Sequence, residues 1–246
     1  MFASSLLCRV APRAIWKRRI KSWSLETGEA EEQILPSLCK RNKISVDVGA
    51  AAGTYAVRML LHSSKVVAFE PNPQAFQELS WQFVGTEIVS LENVALSDRS
   101  GSVQMRIPPH RPMLGTIEAS QELPETVAFN TVPVQRKRLD EYALKSVGFI
   151  KMDVEGHEMS VLTGGRETIQ RERPNLLIEI GKKNIPDVCS FFGQLDYSGH
   201  FLMDKQLVPI ERFDPAIHQN PANVVAGRRV GPYINNFVFF PAAEKN

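Results

Sequence analysis

Ile44-Ser-Val-Asp-Val-Gly-Ala-Ala-Ala-Gly-Thr54 is the stretch on which the fold turns. Five residues of strand composition run into a turn with glycines at 49 and 53, and a helical apolar pattern follows over residues 55–61. Glycines at such a turn let the backbone bend tightly and approach a ligand without a Cβ in the way. Strand, glycine turn and helix begin a βαβ unit, so strands and helices should alternate downstream.

They do, in both directions of argument. Residues 65–69 (Lys-Val-Val-Ala-Phe) form a second strand, and residues 73–83 a helix with Phe76, Leu79 and Phe83 at helical spacing. Residues 88–96 supply a third strand. Then the rhythm changes: residues 101–138 are rich in Pro and polar side chains, with short alternating stretches at 103–107 and 131–134, which reads as an inserted hairpin and loop. A short helix over 139–145, a strand over 149–154, a helix over 157–171, a strand over 175–180 and a helix over 186–195 resume the alternation. Residues 236–240 (Asn-Phe-Val-Phe-Phe) give a late strand, expected at one edge of the sheet. The fold class is therefore α/β, a doubly wound and mostly parallel sheet with a β-hairpin insertion. In such sheets ligands bind beyond the carboxyl ends of the strands, near the point where strand order reverses.

Chemistry is sought at those ends. Glu70 closes the second strand 21 residues after Gly49 and is placed to accept hydrogen bonds from both ribose hydroxyls of an adenosine. Pro71 and Pro73 stop the strand, and Asn72 is the N-cap of the next helix, which holds Glu70 in one place. These features fit nicotinamide dinucleotides as well as S-adenosylmethionine. Asp47 separates the two, because a carboxylate at this turn repels a pyrophosphate and attracts an ammonium or sulfonium. The spacing Gly49-x-x-x-Gly53 also differs from the G-x-G-x-x-G of dinucleotide sites. Asp47, Gly49, Ala50, Gly53, Glu70 and Asn72 are thus the expected cofactor residues, with Ser97 and Asp98 at the end of the third strand reaching for the adenine edge.

Ile150-Lys-Met-Asp-Val-Glu-Gly-His-Glu158 is the densest run of ionisable residues. Alternation puts Lys151 and Asp153 on one strand face, with Glu155 and His157 just beyond. Methyl transfer to a hydroxyl needs in-line alignment and removal of one proton; His157 and Asp153 are the two candidates for the base. Glu179, at the end of the fifth strand, should neighbour Asp153. Two carboxylates there could share a proton, grip a sugar or hold a divalent cation, although no clustered ligand spacing in the sequence supports a metal.

Composition sets outer bounds. The chain has 246 residues, 43% hydrophobic and 23% charged, and a formal net charge of +2. Arg9, Arg13, Lys17, Arg18, Arg19 and Lys21 all precede the first acid, Glu26; without those six the count is 23 basic against 27 acidic residues. A body of that sign disfavours nucleic acid as the main partner. Residues 1–30 form a basic extension, expected to be a packed or frayed end, an organellar targeting segment or a helix resting on a membrane surface; it has no apolar run long enough to span a bilayer. Residues 31–246 form one domain. Cys8, Cys39 and Cys189 are too widely spaced for a disulfide framework or a zinc knuckle, so a cytoplasmic setting fits best.

Taken in order, Asp47-Val-Gly-Ala-x-x-Gly53, Phe69-Glu-Pro-Asn-Pro73, Val94-Ala-Leu-Ser-Asp98, Arg138-Leu-Asp-Glu-Tyr142, Lys151-Met-Asp-Val-Glu-Gly-His-Glu158 and Leu177-Ile-Glu-Ile180 resemble the FkbM family of methyltransferases. The resemblance implies a class I, Rossmann-like enzyme using S-adenosylmethionine, whose relatives mostly methylate hydroxyls of sugars, glycans or secondary metabolites. It puts Asp47, Gly49, Gly53 and Glu70 on the cofactor and residues 153–158 on the reaction side. One departure stands out: the family usually carries Asn after Gly-Ala, and Ala51 here lacks that amide. The alternatives are a nicotinamide-dependent oxidoreductase, or a protein that binds S-adenosylmethionine without turnover. Acceptor choice is expected to depend on the 101–138 insertion, with His110, Arg111, Met113 and Leu114 as a lid.

Overall fold

The computed structural model describes residues 30–108, 115–118, 129–225 and 228–242. The basic extension and the lid residues His110, Arg111, Met113 and Leu114 lie outside them.

Valine-rich strands flanked by helices build one central sheet. Strand β1 (Ile44–Val48) leads through the glycine turn to α2 (Thr54–Met59), β2 (Lys65–Phe69), α3 (Pro73–Gln82) and β3 (Val89–Glu92); a four-residue helix, α1 (Leu35–Leu38), precedes them. After the insertion come β7 (Val147–Met152), α4 (Glu158–Gly164), α5 (Arg166–Glu172), β8 (Asn175–Glu179) and α6 (Ile185–Gly193). The last elements are β9 (Tyr197–Met203), β10 (Gln206–Pro209), a short antiparallel pair β11 (Val224–Val225) and β12 (Arg228–Arg229), and β13 (Asn236–Pro241). The eight strands run in the order β10-β9-β13-β8-β7-β1-β2-β3. From β1 the chain winds outward to β2 and β3, then crosses back to β7 and β8, so the order reverses between β1 and β7. That is the switch point, and Asp47 pairs in register with Lys151 across it.

Alternation along each strand divides the core in two. Val46, Val48 and Phe69 pack with residues of α4, α5 and α6 on one face. Phe149, Leu177 and Val238 pack with α1 and α2 on the other. Burying a large aliphatic or aromatic side chain contributes about 1.5–3 kcal/mol, and both faces are covered, as parallel sheets require.

Several expectations need correction. The third strand does not run on to residue 96: it stops at Glu92, because the Asn93 amide turns inward to the carbonyls of Glu70 and Pro71, at 2.7 and 3.1 Å. Ala95–Leu96 (β4) instead joins a second, three-stranded sheet of order β4-β6-β5. The expected hairpin forms that sheet, as β5 (Gly101–Ile107) and β6 (Asn130–Lys137). The helix expected over 157–171 is broken at Gly165, and α5 receives its cap from a distance: Asp140 accepts from the N–H of Thr168 at 2.8 Å and of Glu167 at 3.2 Å. Leu139–Tyr142 is only a 3-10 turn. Finally β13 is not an edge strand. It lies antiparallel between β8 and β9, and the β9–β10 hairpin forms the edge.

Candidate active site

The carboxyl ends of β1, β2 and β7 are shaped by backbone before any side chain is considered. Gly49 and Ala50 both donate to the Phe69 carbonyl, at 2.9 and 3.0 Å, and Asp153 donates to the Val48 carbonyl at 2.9 Å. Gly49 sits at φ +77°, and a Cβ there would stand 1.8 Å from the Asp153 carbonyl oxygen. Gly53, at φ +78°, faces Leu79 and Phe83. The two glycines therefore serve close approach of the protein to itself, and Gly53 is a packing and helix-start residue away from the cavity walls.

Glu70 is buried and doubly held. Its Oε2 accepts from the Ala51 N–H at 2.7 Å and its Oε1 from the Asn72 N–H at 2.8 Å. Burial still raises its pKa, with those two hydrogen bonds pulling the other way. Each carboxylate oxygen keeps a further lone pair for a ligand. Asn72 caps α3 by accepting from Gln74, as the sequence indicates. Ala51 must adopt φ +44° to deliver its N–H, a left-handed conformation unfavourable to alanine.

Asp47 is almost wholly buried, and burial lifts its pKa to about 7, with Lys151 offsetting part of the rise. Its Oδ2 has no hydrogen-bond partner among the described residues. Lys151 is itself buried, lies over the Tyr55 ring at 4.9 Å and reaches Asp153 Oδ2 at 3.7 Å.

Three hollows meet here. The first, about 200 Å³, is lined by Glu70 and Asn72 together with apolar Val94, Leu96, Met105 and Ile117. Another, about 280 Å³, is walled by Asp47, Gly49, Ala50, Lys151 and Glu32, the last fixed by Arg58 at 2.7 Å. The remaining one, about 460 Å³, opens beyond β7 and β8 and includes Glu155, Glu158, Glu179 and Lys182. Asp153 lines all three. A hollow lined by a carboxylate and by apolar side chains fits an adenosine, and one walled by Asp47, Asp153 and Glu32 fits a cationic group. A pyrophosphate there would meet Asp47, Asp153 and Glu32, so the dinucleotide alternative fits this chain poorly.

Other candidates are used differently from the sequence reading. Ser97 is fully buried and lines none of the hollows: its hydroxyl meets His157 Nε2 at 2.9 Å and donates to Asp98 Oδ1 at 3.1 Å. Asp98 lines none of them either. His157 Nδ1 meets Glu118 Oε2 at 3.0 Å, so both ring nitrogens are engaged and the ring ties the insertion to β4. Thr116 strengthens the tie by donating to the Glu155 carbonyl at 2.9 Å. Glu158 is a staple, accepting from Gly156 N–H at 2.8 Å and the Asn184 amide at 2.7 Å. Glu179 accepts from the Asn235 amide and shares the largest hollow with Asp153. Glu155 lines two hollows from a left-handed turn position, φ +49°. Among the described residues no three His, Cys, Asp or Glu side chains converge as a metal site.

Asn93, Glu32 and Glu118 escaped the sequence reading. Asn93 lay inside an assumed strand, and nothing near Glu32 or Glu118 in sequence links them to the glycine turn.

The model of the Methyltransferase FkbM domain matches residues 47–198. The 2-O-methyltransferase NoeI of Sinorhizobium fredii is 30% identical over 166 residues, which cover 59% of this chain and 66% of that protein. The match thus spans just under two thirds of that relative. The crystal structure of an FkbM methyltransferase from Methylobacillus flagellatus KT superposes with a TM-score of 0.52 at 16% identity, over 81% of this chain and 44% of that one, and shares the fold. With a family model spanning well over half of its length, the chain belongs to the FkbM family of S-adenosylmethionine-dependent methyltransferases.

Proposed function

We propose that this methyltransferase acts on a hydroxyl of a sugar, glycan or secondary metabolite, and that residues 31–246 are the domain that does so. The carrying observation is Asp153, a partly exposed carboxylate common to the apolar slot, the acidic hollow and the wide polar hollow. In this reading the first two hollows hold adenosine and amino-acid ends of the donor, and the third holds the acceptor. S-adenosylmethionine supplies an electrophilic methyl group on a sulfonium.

The chain's own residues supply the rest. Glu70 accepts from the ribose hydroxyls and Asp47 pairs with the ammonium. Asp153, steadied by Lys151 at 3.7 Å, takes the hydroxyl proton. A positioned base contributes about 10²–10⁴-fold and alignment about 7–11 kcal/mol. Asp153 suits this role better than His157, whose nitrogens are both committed. The similarity to a 2-O-methyltransferase supports a hydroxyl acceptor.

The test is transfer of label from methyl-labelled S-adenosylmethionine into fractionated carbohydrate, small-molecule, lipid and protein pools, with and without chelator. Label in the carbohydrate or small-molecule pool is expected. Label confined to protein, or transfer undiminished by Asp153→Asn, contradicts the proposal.

A further inference from the structure

We infer that Glu32 is a donor-binding residue, whose carboxylate meets the ammonium of S-adenosylmethionine and is positioned for it by Arg58. This rests on the reading above that puts the amino-acid end of the methyl donor in the acidic hollow. Family membership assigns Glu32 nothing, because the matched stretch begins at Asp47.

The hollows fix the path of the ligand. Gly49, Ala51 and Asp153 line both the first hollow and the acidic one, so a methyl donor whose ribose meets Glu70 continues past the glycine turn into the acidic hollow. Glu32, from the 3-10 turn Ala30–Ile34, walls that hollow together with Thr54 and Tyr55 of α2. An ammonium brings three N–H donors, more than one carboxylate oxygen accepts, and Glu32 offers a second carboxylate beside Asp47.

The place of that carboxylate is built. Glu32 Oε2 stands 2.7 Å from Arg58 Nε, with side chains only 11% and 9% exposed. Arg58 Nη1 in turn donates to the carbonyl of Thr54, at 3.0 Å, on a residue of the same wall. Just past the turn, Leu35 and Leu38 are buried and pack with Ala56, Val57 and Leu60. Desolvation offsets much of the attraction in a buried ion pair, so stability alone is a weak reason for this one. Its geometric effect is to pin a carboxylate at the wall of the hollow. An ionised carboxylate accepts at about four lone-pair sites, so a bond to Arg58 does not exclude one to a ligand. Partial burial makes a contact with a ligand charge stronger than it would be in water.

Isothermal titration of the full-length protein tests the inference with two probes: adenosylhomocysteine, and the analogue of it in which hydrogen replaces the amino group. Wild-type protein is expected to bind adenosylhomocysteine about tenfold or more tightly than the analogue. Glu32→Gln should weaken adenosylhomocysteine about five- to twentyfold and leave the analogue within about twofold, so that most of the discrimination is lost. The Gln amide oxygen still accepts from Arg58, which keeps the turn in place. Should that variant fail to fold, Glu32→Gln with Arg58→Met removes both charges together and is expected to show the same selective loss. Equal weakening of the two probes, or an adenosylhomocysteine affinity unchanged by Glu32→Gln, would overturn the inference. So would wild-type protein that binds both probes equally, a comparison that needs no variant. Failure of wild-type protein to bind adenosylhomocysteine at all would overturn instead the reading on which the inference rests.

Discussion

The two halves of the site are built in different ways. The half proposed for the cofactor comes from two strand ends and their turns, residues 47–53 and 69–72, fastened by backbone hydrogen bonds and by the one Glu70 carboxylate that accepts from Ala51 and Asn72. The half proposed for the acceptor gathers residues 116–118, 153–158, 179–184, 219–221 and 233–235, tied by side chains: Thr116 to Glu155, His157 to Glu118, Asn184 to Glu158, Gln219 to Ile180. A backbone-fastened half tolerates little local change and is dictated by short motifs. A side-chain-tied half can be rebuilt residue by residue, which is where acceptor choice can vary without loss of the donor.

The largest effect that sharpens this contrast is expected from glycine replacement. Gly49→Ala puts a methyl group 1.8 Å from a backbone oxygen at positive φ and should cost roughly 3 kcal/mol or more of stability. Gly181→Ala, in the acceptor wall with nothing within 4 Å, should cost under about 0.5 kcal/mol. Denaturant midpoints read both, and equal losses would erase the distinction. Next, Glu70→Gln should weaken adenosylhomocysteine roughly ten- to hundredfold, while Glu179→Gln leaves it within about twofold. Calorimetric affinities that fall equally in the two variants would mean the halves are not separable.

His157→Phe tests the tie that holds the insertion against β4. Loss of a positioning bridge should lower kcat about tenfold or less, with the pH profile unmoved; a base would cost about 10²–10⁴-fold. A loss of that size with a vanished titration in the kcat profile would make His157 the base after all.

Protonation gives a smaller, signed effect. The Asp47 carboxyl is raised to about 7 in the folded protein, so it is mostly protonated below that pH and mostly charged above it. Its contribution to stability is full below the unfolded value near 3.8 and is lost as pH rises through about 7. A cationic ligand favours the charged form, so adenosylhomocysteine affinity should rise roughly five- to tenfold between pH 6 and 7.5. An affinity that is flat or falls over that range contradicts the pairing. Smallest of all, Ala51→Gly should raise stability by about 0.5 kcal/mol by relieving φ +44°, visible as a higher Tm. A lowered Tm would show that Ala51 is not strained.

The same contrast explains what the sequence made legible. The places of Asp47, the glycine turn and Glu70 were legible because each lies at or just past the carboxyl end of a strand, where local backbone rules fix where it goes. Parallel strands with both faces covered are near-continuous apolar runs, so β1, β2, β7 and β8 stand out. The β9–β10 hairpin does not, because Tyr-Ser-Gly-His-Phe-Leu-Met lacks clean alternation and its turn uses Asp204 and Lys205 at positive φ instead of Asn-Gly. Without that hairpin β13 looked like an edge. The acceptor wall was equally hidden. Gln219 and Asn235 are ordinary polar residues until β13 inserts beside β8 and brings them to the end of that strand, and Glu118 meets His157 across 39 residues of chain. Ser97 and Asp98 misled for the opposite reason: a strand end in the usual place, diverted into a second sheet.

Asp47 separates the two cofactor classes: strand, glycine turn and distal acid serve both, whereas a buried carboxylate with one oxygen unpartnered among the described residues favours a cationic ligand over a pyrophosphate. Isothermal titration of wild-type and Asp47→Asn protein with adenosylhomocysteine and with NAD measures it directly. The account predicts one adenosylhomocysteine site, weakened about tenfold or more by the substitution, and no NAD binding in wild type. NAD binding to wild-type protein, or an adenosylhomocysteine affinity indifferent to Asp47, would contradict it.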